Sequence, residues 1–149
     1  MQLTSYTDYA LRLLLYAAVQ PEGKLTSVKE VAKAYNISYN HLTKVTQELG
    51  RHGILETIKG RGGGIRLAIK PEDLPVGKVV RLTEDNSQYV ECFDEENNTC
   101  VLSPSCRLKG VLHEALNAYM AVLDRYTLKD ITVNEKILRD LLNMKKEKT

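Results

Sequence analysis

A chain of 149 residues, 43% of them hydrophobic, is long enough to bury a core of its own, which excludes a mini-protein held together by disulfides. The net charge of +2 is unevenly spread: residues 1–70 hold ten Lys/Arg against five Asp/Glu, and residues 71–149 hold eleven against fourteen. The basic half is where a polyanion is expected; the lack of a run of about twenty apolar residues, and of a basic-then-apolar leader, speaks against a membrane role and sets an expectation of a cytoplasmic protein.

The opening TSYTDYALRLLLYAAV offers Thr4 or Ser5 as an N-cap, followed by apolar residues dense enough for a helix buried on more than one face. In TSVKEVAKAYNISYNHLTKVTQELGRHGI, Ser27 caps a short helix through about Tyr35, with Val28, Val31 and Ala32 facing inward. Asn36 and Ile37 form the break. Ser38 then caps a second helix to about Gly50, with Ile37, Leu42, Val45 and Leu49 as its apolar side. Two capped helices so closely joined predict a helix-turn-helix. ILETIKGRGGGIRLAI alternates apolar residues around clustered glycines, which predicts a β-hairpin. The fold class that follows is mainly α with a small β-hairpin wing, residues 1–70 forming a winged helix-turn-helix.

That fold also serves partners other than DNA, so the reading depends on which side chains it presents. Ser38, Tyr39, Asn40 and His41 at the start of the second helix, with Lys44 one turn on, suit phosphates and base edges of a major groove. Arg61 among the wing glycines suits a minor groove. The implied partner is double-stranded operator DNA.

Residues 71–103 read as a linker, with a short helix starting over Val76–Val80, leading into a loop that holds all three cysteines. Residues 104–149 read as a long helix and a charged tail. In that helix Leu108, Leu112, Ala115, Tyr119, Val122 and Tyr126 recur with a mean period of 3.5, the pattern of a seam between helices. A symmetric dimer through this helix sets two recognition helices about 34 Å apart, one turn of duplex.

The loop CFDEENNTCVLSPSC spaces Cys92, Cys100 and Cys106 as C-x7-C-x5-C. Zinc sites favour close CxxC pairs, and none is present. A sulfur-ligated iron cluster accommodates longer spans, and three thiolates leave one position of a [4Fe-4S] or [2Fe-2S] cluster to a weaker ligand. Spacing alone leaves the cluster, zinc and redox-active thiols all open.

LTSYTDYALR, ISYNHLTKVTQELGRHGILETIKGRGGGIRLA and the cysteine triplet before a long helix together resemble the iron–sulfur-cluster winged-helix repressors, the IscR-like family, over nearly the whole chain. The likeness is greatest to its nitric-oxide-sensing branch. One departure is the seven-residue first gap, where five is more usual in the family; it lengthens a loop without removing a ligand. The resemblance implies a dimeric repressor with a cluster, [4Fe-4S] before [2Fe-2S], on Cys92, Cys100 and Cys106, whose reaction with nitric oxide releases DNA. IscR-like members take a histidine three residues after the last cysteine, where this chain has Lys109. Nitric-oxide-sensing members use an aspartate of the first helix, and Asp8 matches it, with the partner subunit's cluster within its expected reach. A hard carboxylate holds iron weakly. Against this stands a plain Asp8–Arg12 pair one helical turn apart, which makes Arg12 a coupling residue to Asp8. His113 is a further candidate ligand, read first as a surface or seam residue.

Two other readings remain: a relative that senses cluster supply or oxidants, and a small iron–sulfur electron-transfer protein docking through its winged helix. An enzyme is not expected, since no paired nucleophile and base and no phosphate-binding loop are present, and GRGGG is followed by a strand pattern.

Overall fold

The computed structural model describes residues 2–144. The charged tail expected after Asn143 therefore lies, from residue 145 on, outside the described residues. Six helices and one two-stranded sheet follow one another along the described chain.

The first helix, α1 (Ser5–Ala18), begins where the Thr4 hydroxyl accepts the Thr7 N–H at 3.3 Å. Thr7, Ala10, Leu13 and Leu14 fall at helical spacing on one side and are all buried. α2 (Val28–Tyr35) starts on Ser27, whose hydroxyl accepts the Glu30 N–H, and stops at Asn36, left-handed at φ 54°. Asparagine tolerates that conformation, and it turns the chain sharply into α3 (Tyr39–Arg51), capped by Ser38. Leu42, Val45 and Leu49 of α3 meet Leu13, Leu14 and Val31 in one core, so the expected helix-turn-helix is present with its expected caps.

Strands β1 (Leu55–Ile58) and β2 (Gly64–Leu67) pair antiparallel, with Leu55 opposite Leu67 and Ile58 opposite Gly64. Ile65 also exchanges two backbone hydrogen bonds with Thr26, at 2.7 and 2.9 Å, which ties the wing to the segment leading into α2. A side chain on Gly63 would collide with the carbonyls of Ile58 and Gly60, so the tight turn needs glycine there.

The segment read as a linker contains α4 (Val76–Thr83), whose Val79 and Val80 are buried. It packs on α1 and on α5 (Arg107–Asp124). Arg81 of α4 pairs with Asp124 of α5 through both carboxylate oxygens, beside the buried Gly77. α5 ends at Asp124, earlier than the seam pattern implies. Tyr126 lies beyond it, held by its carbonyl, which accepts the Val76 N–H at 2.8 Å. A last helix, α6 (Glu135–Leu141), was not expected from the sequence; Arg139 fastens it to the carbonyl of Val19.

Candidate DNA-binding surface and cysteine loop

The buried side of α3 leaves the opposite side to solvent. Ser38, Tyr39, Asn40, His41 and Lys44 are all exposed, and so is Gln47, which the sequence reading missed although it follows Lys44 at the same-face spacing of three. The Ser38 hydroxyl accepts the His41 N–H at 3.4 Å, and Thr43 donates to the Tyr39 carbonyl at 2.8 Å, so the first turn of the helix is held from both ends.

Five of the arginines are held in ion pairs. Arg12, Arg51, Arg66, Arg81 and Arg139 each meet a carboxylate; Arg66 does so across the wing, reaching Glu56 at 2.9 Å. Lys44 on α3 and Arg61 at the wing tip have no ion-pair partner among the described residues. Both stand where a winged helix meets a duplex, and phosphates are a fitting counter-charge for them.

The cysteine loop is built mostly from its own polar groups. Asp94 accepts the backbone N–H groups of Glu96 and Asn97, Asn98 donates to Ser103 at 2.7 Å and accepts the Cys100 N–H at 3.0 Å, and Thr99 donates to Glu91 at 3.1 Å. Short 3-10 turns at Glu91–Phe93 and Ser103–Ser105 bound it. Cys92 and Cys106 are half-buried, Cys100 is exposed, and all three are free thiols. Cys106 is the N-cap residue of α5, with no side-chain bond into the helix. Beside Cys100, the apolar Val101 and Leu102 are 90% and 65% exposed.

As a donor set the three soft thiols fit a sulfur-ligated iron centre. The fit is one of donor chemistry and chain reach: among the described residues no three His, Cys, Asp or Glu side chains converge on one point. Asp8 does not join the cysteines in such a group. Its carboxylate takes two bonds from Arg12, at 2.9 and 3.1 Å.

Residues 3–134 match the Rrf2 family, described as an iron-dependent transcriptional regulator. The chain belongs to the Rrf2 family. It is 68% identical over 145 residues to the HTH-type transcriptional regulator NsrR of Halalkalibacterium halodurans, covering 97% of this chain and 99% of that one. Its fold is similar to the oxidised form of Staphylococcus aureus CymR (TM-score 0.72, 23% identity, covering 89% of this chain and 97% of that one). It is also similar to T. potens IscR (TM-score 0.71, 20% identity, covering 100% and 94%). This Rrf2 protein is thus a DNA-binding transcriptional regulator and not an enzyme. No helix among its described residues is long and apolar enough to cross a membrane.

In this Rrf2 chain α1 meets the helix-turn-helix through polar and aromatic side chains as well as through the core. The ring of Tyr9 stacks on His41 with centroids 6.2 Å apart, and Arg12 lies 5.8 Å from the centre of the Tyr35 ring. Burial pushes the Tyr35 phenol up to about 12, against the opposing pull of the Arg12 cation. It stays protonated and donates to the Arg12 carbonyl.

On α5, Leu108, Ala115 and Val122 are exposed, as is Tyr126 past its end, whereas Leu112 and Tyr119 are half-buried. Those two line a cleft of about 630 Å³ with Leu116, Met120 and Thr4, because α4 and the start of α1 occupy that side. The exposed apolar stripe runs Leu108, Val111, Ala115, Ala118 and Val122, in steps of three and four.

Proposed function

We propose that this protein is a dimeric transcriptional repressor that binds operator DNA, carries an iron–sulfur cluster on Cys92, Cys100 and Cys106, and releases DNA when nitric oxide reacts at that cluster. The observation that carries the reading is the confinement of three free thiols to one loop that ends on the N-cap of α5. The family's iron dependence and the likeness to NsrR support it.

When bound, the cluster supplies an iron site that nitric oxide can attack, [4Fe-4S] being favoured over [2Fe-2S] by the resemblance. Asp8, from the same chain or its partner, is the proposed fourth ligand. Its carboxylate is shared ground: the Arg12 guanidinium holds both of its oxygens and also lies 5.8 Å from the centre of the ring of Tyr35, the last residue of α2. Drawing Asp8 away frees Arg12, and the change is felt where α2 turns into α3. The exposed stripe of α5 pairs two chains, so that a shift in α1 alters the spacing of two recognition helices.

Titrating nitric oxide into anaerobically purified protein on an operator fragment tests the reading, with an iron and sulfide count on the same sample. Loss of DNA binding in step with a changing absorption spectrum is expected. Colourless, iron-free protein, or affinity indifferent to nitric oxide, would overturn it.

A further inference from the structure

Thirteen residues separate Cys92 from Cys106, and the loop's hydrogen bonds fix its shape more than its position. Position has to come from the ends. At one end Cys106 is the N-cap residue of α5, joined directly to its first turn. At the other, Phe93 follows Cys92 directly, and its ring stacks on His113 of α5 with centroids 3.9 Å apart and planes 13° from parallel. Tyr89 also meets Phe93, at 5.6 Å. His113 stands two turns along α5 from Cys106 and outside the exposed apolar stripe, so neither DNA binding nor chain pairing accounts for it.

We infer that His113 is the positioning residue of the cysteine loop: through Phe93 it holds Cys92 against the same helix whose N-cap is Cys106. Two of the three thiols are then set by α5, and Cys100, exposed between them, is the one left to adapt. The contact uses the face of the imidazole, so a flat ring is what the position requires, whichever nitrogen carries the proton. The role of the loop as cluster holder rests on the function proposed above; the placement of Cys92 does not.

The test is thiol alkylation of the reduced, full-length protein after iron chelation, each cysteine followed by mass spectrometry. An aromatic pair of this kind changes a local opening equilibrium roughly two- to tenfold. His113→Ala is expected to raise Cys92 alkylation by that factor with Cys100 unchanged, and His113→Phe to restore it. Phe93→Leu should match His113→Ala. Equal rates at Cys92 in all variants, a uniform rise at all three cysteines, or failure of His113→Phe to restore protection each overturn the inference. Because these readouts need no iron, they separate this role from the cluster assignment, which the iron and sulfide count decides.

Discussion

The Tyr35 hydroxyl donates to the backbone carbonyl of Arg12 at 2.8 Å, joining the end of α2 to the middle of α1. This bond links the helix that carries Asp8 to the turn that aims the recognition helix. The helix that carries Asp8 and Arg12 is thus joined to the end of α2 by a hydrogen bond as well as by packing.

Removing that hydroxyl in Tyr35→Phe should cost about 1 kcal/mol of stability, the usual worth of such a bond. The phenol's folded pKa of about 12 lies above its ordinary 10.0 because of burial. Its contribution is fully present below pH 10 and is lost as pH rises through about 12. Tyr6 and Tyr16 are raised for the same reason, so the variant should show a smaller alkaline loss rather than none. Urea denaturation at neutral pH and at about pH 11 measures both effects.

The wing should separate charge from shape. Arg61→Ala leaves the turn intact and is expected to weaken operator binding about tenfold while lowering the salt slope by roughly one. Gly63→Ala forces a side chain into the carbonyls of Ile58 and Gly60 and should weaken binding by distorting the hairpin, even with Arg61 in place. Fluorescence anisotropy across a salt series distinguishes them: a flattened slope is expected for the first variant only.

How far the sequence revealed this protein depended on how local each signal was. Thr4, Ser27 and Ser38 cap helices through bonds that span three residues, and the wing glycines govern their own turn, so the helix-turn-helix and its hairpin could be read closely. The end of α5 could not, because no glycine or proline marks Asp124; pairing of Tyr126 with Val76, fifty residues away, ends the helix. A periodic pattern likewise cannot tell which side of a helix its own domain covers. Leu112 and Tyr119 fit the seam by spacing, but α4 and the start of α1 cover that side. The stack of Phe93 on His113 joins residues twenty apart across an irregular loop, and nothing in the composition announces it.

The exposed stripe of α5 predicts that Val111→Asp breaks chain pairing. Val111 is 58% exposed and lies between Leu108 and Ala115 on that stripe, where a carboxylate would lose its water in a dimer. A central apolar contact of this kind contributes about 2 kcal/mol, so the dissociation constant should rise about thirtyfold. Sedimentation should show the shift with thermal stability nearly unchanged, because Val111 touches none of the core. Operator affinity should fall with it, since one half-site cannot replace two.

Gly77 and Asp124 offer a double-mutant test of the α4 and α5 junction. A Cβ at Gly77 would run into the Asp124 carboxylate, which Arg81 holds in place. Gly77→Ala should therefore push that carboxylate off the guanidinium and destabilise the protein by about 1–2 kcal/mol. Asp124→Ala alone should cost little, as the ion pair is exposed to solvent. If the collision with the carboxylate is the cause, the double variant will be more stable than the sum of the two losses, because the space that the added methyl group needs has been cleared. Strict additivity in urea melts would instead place the cost in the backbone of α4.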